Sequence, residues 1–297
     1  MKIRVLGSSA GGGLPQWNCG CLRCVRARAG DPAVPPRSQP SIAVSADGAR
    51  WSLVNASPDV RDQLARAPAL HPRPETRDVP IETVLLTNAD LDHVLGLLVM
   101  RESLPYRIVS THWVRDALLE NNAVFRLLAP AWGGAKLDEP VLLDRQGHLE
   151  ARLFPVPGKV PMHLDGLAAN HAEATAGVRI TDLQTGHRLV YVPGVKSIDG
   201  GVKAELEAAT VSFVDGTFFT ENELAASRPG APGARAMGHL PISGPDGSLT
   251  RLAALPGRRF YTHLNNTNPI LDATGKEQTW VRAAGVEIAH DGLELEV

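Results

Sequence analysis

Short apolar runs closed by glycine, proline or aspartate recur along this chain, and they predict strands more often than helices. Residues 2–6 predict a strand ending in the turn Gly7-Ser8-Ser9-Ala10-Gly11-Gly12-Gly13. Residues 41–45 and 51–55 alternate apolar and polar positions around Asp47-Gly48, a hairpin signal. Ser57-Pro58-Asp59 predicts a helix start, with the serine as cap and the proline in the first turn. Residues 83–86 read as a strand of the buried type, and from His93 the apolar positions fall at helical spacing through Leu97, Leu98 and on to Arg101. Residues 152–156, 178–182, 188–192, 209–214 and 259–262 predict further strands, with a turn at Thr185-Gly186. Strands interleaved with helices, twice over, predict an α/β (α+β) chain in which two mixed sheets pack face to face with helices outside. No convincing boundary divides it, so one domain is expected over residues 1–297, with a poorly periodic loop at about 14–39.

Composition narrows the function. The 297 residues are 43% hydrophobic and 21% charged, as in soluble globular proteins. A net charge of −2 offers no field for nucleic acid or acidic lipid. The opening Met1-Lys2-Ile3-Arg4-Val5-Leu6-Gly7 is too short an apolar run for a signal peptide. No stretch approaches the roughly 18 apolar residues of a membrane span. A cytoplasmic protein with neither nucleic-acid nor membrane partners is expected. The 23 prolines and 28 glycines imply many short elements joined by firm turns.

Residues 87–93 read Thr-Asn-Ala-Asp-Leu-Asp-His, directly after an apolar run. This heptad resembles the Thr-His-x-His-x-Asp-His signature of the metallo-β-lactamase superfamily, with Asn88 and Asp90 in place of the first two histidines. Asp92 and His93 remain. The resemblance implies that one metal site is altered and the other kept, which removes the close metal pair that generates a bridging hydroxide. It also implies that Asp215 and His263, each following a late strand, complete the remaining site. Alone, Asp92 reads as a helix cap and each histidine as a core residue; together at strand ends, in this order, they read as a metal constellation. Asp90 is either a further ligand or a hydrogen-bond partner of a ligand histidine. Asn88 is a poor ligand and is expected to orient substrate or backbone. His171 is expected in a surface loop. His239, between the strands that deliver Asp215 and His263, is a candidate acid/base group.

Cys19, Cys21 and Cys24 form a C-x-C-x-x-C cluster and are the only cysteines. An odd count without a signal peptide argues against disulfides, and three clustered thiols suit structural zinc. A fourth ligand must come from elsewhere, either the 265–268 loop or a histidine. The turn at residues 10–13 lacks the Gly-Lys-Ser/Thr ending of a phosphate cradle and is expected to provide close packing near the site.

Longer motifs point further. Residues 7–13 lead through Pro15-Gln16-Trp17-Asn18-Cys19 into the cysteine cluster. Later come Asn55-Ala56-Ser57-Pro58-Asp59, Asp215-Gly216-Thr217, Met237-Gly238-His239 and Thr262-His263-Leu264-Asn265-Asn266-Thr267-Asn268-Pro269. Together they resemble the pyrroloquinoline quinone (PQQ) biosynthesis protein B family, from near Met1 to His290-Asp291-Gly292-Leu293. The resemblance implies a cytoplasmic protein with the metallo-β-lactamase αββα sandwich, a structural Zn(2+) at the cysteines and a role in making PQQ. The activity it implies is Fe(2+)- and O2-dependent hydroxylation of the tyrosine ring in a Glu-Tyr-derived precursor cut from a cross-linked peptide. In that reading Asp92, His93 and His263 hold the iron, Asp90 or Asp215 completes or buttresses the set, and His239 handles the substrate hydroxyl proton. Two histidines and one carboxylate are the set used by non-haem iron(II) oxygenases. Arginines must meet the precursor's carboxylates, with Arg235 and Arg258 among the candidates. The rival readings are a mononuclear metallohydrolase and a non-enzymatic carrier assisting export of PQQ or its precursor. The oligomeric state stays open, a homodimer included.

Overall fold

Strand-forming runs in this chain are rich in β-branched and aromatic residues, and many are apolar at every position. Such runs suit strands covered on both faces. The computed structural model describes residues 1–102, 104–169 and 171–297. Strands β1 (Lys2–Gly7), β2 (Ser41–Ser45), β3 (Trp51–Val54), β4 (Ile81–Leu85), β5 (Arg107–Thr111) and β6 (Trp132–Ala135) build the first sheet. Strands β7 (Val141–Leu142), β8 (Leu149–Pro155), β9 (Ala176–Asp182), β10 (Arg188–Val192), β11 (Val211–Asp215), β12 (Arg258–Thr262) and β13 (Glu287–Ile288) build the second. The chain then returns as β14 (Glu294–Glu296) to pair antiparallel with β1, in register Ile3 to Leu295. Both sheets are mixed: β3 to β6 run parallel, as do β10 to β13, and the other pairings are antiparallel.

Period-two alternation sorts the side chains into three layers. Ile3, Val5, Ile42, Val44 and Leu85 face Val178, Ile180, Leu189, Tyr191, Phe213 and Phe260 between the sheets. On the outer face of the first sheet, Leu53, Val84 and Ile108 meet Val94, Leu97, Val114 and Leu118 from the helical segments that follow β4 and β5. Outside the second sheet, Val190, Val192 and Val214 meet Val202, Leu206, Leu249, Leu252 and Val281. Each such side chain stabilises the fold by about 1.5–3 kcal/mol when fully buried. This is the expected layering, helices outside two packed sheets.

Both sheets end at one rim, and two loop bridges stitch them there. Ala10 N donates to Leu264 O at 2.8 Å and Leu264 N to Ser8 O at 3.0 Å, tying the turn after β1 to the segment after β12. Ala176 N donates to Thr87 O at 2.8 Å, tying the heptad to the start of β9. The carboxyl ends of β4, β11 and β12 therefore open toward each other, the usual place for a site in a parallel sheet.

Three local expectations are corrected. The helix expected from His93 to Arg101 starts earlier and breaks into Leu91–Val94 and Gly96–Val99. Gly96 is wedged against the backbone of the 56–57 loop: a Cβ there would lie 2.3 Å from Ser57 O, so only glycine fits. Ser57 does not cap a helix through its side chain; its hydroxyl bonds Gln63 Oε1 at 3.1 Å, and the helix runs Val60–Ala65. The 14–39 segment is not wholly irregular, since Leu22–Arg28 is helical.

Candidate metal centre

The heptad places its residues on the tight turn between β4 and the first helical turn after it. His93 is buried, and its Nδ1 donates to Asn88 Oδ1 at 2.6 Å, with Thr87 Oγ1 at 3.3 Å. Asn88 Oδ1 also accepts from Asp90 N at 3.1 Å, while Asn88 Nδ2 donates to Asp90 Oδ2 at 2.7 Å. Asn88 therefore orients backbone, as expected, by holding the Asp90 N–H. It fixes the His93 tautomer with the Nε2 lone pair turned away, a use of the amide that its replacement of histidine did not suggest. Burial, with the charge of Asp92, pushes the Asp90 carboxyl up to about 6, and burial draws His93 down to about 4.

The second half follows β11 and β12, whose parallel register pairs Asp215 with Thr262. Asp215 is buried and accepts from Val195 N (3.0 Å), Thr217 N (2.9 Å), Thr217 Oγ1 (2.6 Å) and His239 Nδ1 (2.7 Å). Burial alone raises a carboxyl's pKa; here His239, His263 and the Thr217 hydroxyl outweigh it and hold Asp215 below the ordinary value. Thr217 Oγ1 accepts from His263 Nδ1 at 2.7 Å, so His263 also presents Nε2 outward. His263 has φ of 57°, a left-handed conformation that costs a non-glycine residue about 1 kcal/mol or more. Its carbonyl accepts from Thr217 Oγ1 at 3.0 Å, one of the contacts that holds it there.

The halves meet at Asp92. Its Oδ2 lies 3.2 Å from His263 Nε2 and 3.8 Å from His93 Nε2. The His93 and His263 rings meet edge-on with centroids 5.4 Å apart, and His239 stacks on His263 at 5.5 Å. His93 Nε2 is buried without a hydrogen-bond partner, so an essential lone pair aims into the space between these residues with nothing protein-borne to receive it. The donor atoms of Asp92, His93 and His263 all lie within 4.8 Å of one another. Two imidazole lone pairs and one carboxylate fit a divalent zinc or iron ion. Although burial opposes it, the fields of His93 and His263 hold Asp92 well below the usual carboxylate range. The Asp92 bond raises His263 above its ordinary value, overcoming burial.

Asp215, His239 and His263 also converge within 4.8 Å, but there the histidine nitrogen nearest Asp215 carries a hydrogen bond to it. Asp90 lies outside both clusters and is tied to Asn88. His171 is exposed in the loop before β9. Arg235 faces Glu221 at 3.5 Å, and the exposed Arg258 pairs with Glu287 at 2.9 Å, at the opposite end of β12 from His263. Thr217 is the member that sequence reasoning missed. Its signal was its place two residues past an aspartate at a strand end, next to a glycine.

A second cluster lies in the N-terminal loop. The sulfurs of Cys19, Cys21 and Cys24 come within 4.8 Å of one another. Asn266 Nδ2 reaches them at 3.0, 3.6 and 3.3 Å respectively, so the 265–268 loop does close over the thiols. Burial pushes the Cys24 thiol up to about 11, whereas at Cys21 backbone and thiol hydrogen bonds outweigh burial and lower it. Three thiols with one amide over them match the donor number of tetrahedral zinc. Among the described residues, no helix is long and apolar enough to cross a membrane.

Comparison with known proteins places this geometry. Residues 50–263 match the family model described as the beta-lactamase superfamily domain. The coenzyme PQQ synthesis protein B of Ruegeria pomeroyi is 44% identical, covering 99% of both chains. That of Methylobacterium radiotolerans is 43% identical, again covering 99% of both. A crystal structure of Zn(2+)-bound PqqB from Methylobacterium extorquens superposes with a TM-score of 0.94 at 41% identity, covering 100% of each chain.

Proposed function

Because the chain belongs to the coenzyme PQQ synthesis protein B family, within the beta-lactamase superfamily, we propose that it acts in PQQ biosynthesis as an iron- and O2-dependent hydroxylase. Its substrate in this reading is the tyrosine ring of a Glu-Tyr-derived precursor, with one atom of O2 entering the ring, the other leaving as water, and the two electrons this requires drawn from an external reductant. The observation that carries the proposal is the lone, solvent-shielded Nε2 of His93 facing Asp92 and His263. Those three residues hold the ion, and iron(II) bound there supplies the means to activate dioxygen. The remaining steps belong to the protein. Asn88 and Thr217 fix the two ligand imidazoles in the tautomer that offers Nε2. Asp215 buttresses both Thr217 and His239 without ligating, since donors already occupy its oxygens. With Nδ1 engaged by Asp215, His239 offers Nε2 to accept the phenol proton of the substrate. At the cysteines, Asn266 supplies the fourth zinc ligand after its amide turns its oxygen inward.

The hydrolase reading needs a second metal or an activated water beside the first. Asn88 and Asp90, standing where the superfamily has histidines, bond to each other and to His93, which argues against that second site. Loading the metal-stripped protein with iron(II) or with zinc, then supplying precursor, separates the readings. Oxygen uptake with iron alone supports the hydroxylase. Hydrolysis by the zinc form without oxygen uptake overturns it, and tight precursor binding unchanged by His93→Ala and without turnover returns the carrier.

A further inference from the structure

A cavity of about 1120 Å³ runs along the cysteine loop on one side and the 220–228 segment on the other. Gly11, Asn18, Arg23, Arg228, Met237 and Asn265 are among its walls. One end abuts the metal centre: a Cβ on Gly11 would stand 3.5 Å from the Asp92 carboxylate, so this wall passes directly behind a ligand. Asn265 lies two residues beyond His263, and Met237 two before His239. A space of this size accommodates a dipeptide-sized molecule.

Its polar lining is unbalanced. Among the described residues, neither the Arg23 nor the Arg228 side chain has an ion-pair or hydrogen-bond partner, and Arg23 Nε is shielded from solvent with none. Glu223, an acid in the same wall, feels the charge of Arg23 without forming an ion pair with it; its oxygens accept from Thr267 Oγ1 and from Phe219 N, each at 2.6 Å, and burial pushes its carboxyl up to about 7, so it offers Arg23 only partial negative charge near neutral pH. The shielded Nε is closed to a ligand, but the terminal guanidinium nitrogens of Arg23 are not buried in this way, and they are the donors the cavity offers an anion. A guanidinium is planar and presents paired donors that match a carboxylate or a phosphate, and the substrate proposed above carries carboxylates.

We propose that Arg23, assisted by Arg228, binds a carboxylate of the substrate and so aims its ring from this cavity at the Asp92–His93–His263 centre. Arg23 stands between Cys21 and Cys24, so the cysteine cluster sets the position of a substrate-binding residue as well as the loop. This rests on reading the centre as one that acts on a carboxylate-bearing tyrosine derivative, although the binding claim can be tested without turnover.

The test is calorimetric binding of Glu-Tyr and of its fully amidated counterpart, Gln-Tyr-amide, to zinc-loaded protein. Parent protein, Arg23→Gln and Arg228→Gln are compared, each after its zinc content has been checked so that loss of the loop is visible. Arg23→Gln is expected to weaken Glu-Tyr binding about 10- to 100-fold, the range of a charge-assisted hydrogen bond. It should leave Gln-Tyr-amide unchanged, and Arg23→Lys should recover part of the loss. Arg228→Gln, at an exposed position that does not threaten folding, should show the same pattern more weakly. Equal weakening of both peptides, no weakening, or no measurable binding of Glu-Tyr to the parent overturns the proposal. Carboxylate-dependent coupling to Arg23 in a protein that hydroxylates nothing sustains this inference while the hydroxylase reading falls.

Discussion

The two halves of the metal centre solve one problem with different parts. At the end of β4, Asp90 bonds Asn88, and Asn88 receives Nδ1 of His93. At the end of β11, Asp215 bonds Thr217, and Thr217 receives Nδ1 of His263. Each half sets an acid behind a neutral relay and a histidine in front, and each turns Nε2 toward Asp92. The difference lies in how the acid is satisfied. Asp215 collects two backbone N–H donors, a hydroxyl and an imidazole, and is held ionised. Asp90 accepts from one amide, close to another carboxylate, and its pKa climbs to about 6. Two buried carboxylates behind one candidate centre thus differ in their tendency to ionise because they differ in donors.

This comparison can be broken most sharply at the histidines. His93→Ala or His263→Ala should lose metal by more than the roughly 100-fold that outer partners usually cost, with turnover falling to background, read by metal titration and oxygen uptake. Retention of stoichiometric metal in both variants would remove the ligand assignment. Next comes the contrast between the acids. Asp215→Asn turns an amide hydrogen toward four donors and should weaken metal binding about 10- to 100-fold. Asp90→Asn keeps an acceptor for Asn88 and should cost only a few-fold by the same logic. Equal losses would mean that donor number does not set the weight of each acid.

A smaller effect sharpens the charge argument. In metal-stripped protein, Asp90 titrates near 6 folded against an ordinary 3.8, so between those values the folded state holds more protons than the unfolded. Its contribution to stability therefore falls as pH rises through that window. His93, lowered to about 4 from 6.5, works in the opposite sense, since there the unfolded state holds more protons. The stability of the parent minus that of Asp90→Asn, from urea unfolding, isolates the first term and should decline from about pH 4 to 7. A flat or rising difference contradicts it. Smallest of all, Arg258→Ala breaks an exposed pair with Glu287 and a contact over the Phe260 ring at 5.0 Å, and should shift stability by about 1 kcal/mol, with turnover unchanged.

How far the chain could be read in advance follows the same physics. Strands with two apolar faces, such as β10 and β11, announce themselves because burial on both sides demands uniform composition. The strand Arg107–Thr111 and the helix after it were missed, their run being short and interrupted by Ser110 and Thr111, which are polar yet buried. The glycine break at Gly96 depends on a contact with residues 56–57, which no local pattern reports. At the site, ligand-type residues at strand ends were legible because metal chemistry restricts their kind. The roles of Asn88 and Thr217 were not: amides and hydroxyls serve everywhere, and only the bond each makes to a histidine Nδ1 distinguishes them. Arg235 and Arg258 each meet an acidic partner, whereas among the described residues the Arg23 side chain has no hydrogen-bond or ion-pair partner.

The most direct test is anaerobic loading of the metal-stripped protein with iron(II), addition of the Glu-Tyr-derived precursor and a chemical reductant such as ascorbate, and exposure to isotopically labelled dioxygen with mass analysis of the product. The account predicts that labelled oxygen enters the tyrosine ring, and that His93→Ala prevents it. A product that gains oxygen only from water, or an unaltered precursor beside fully iron-loaded protein, would contradict it.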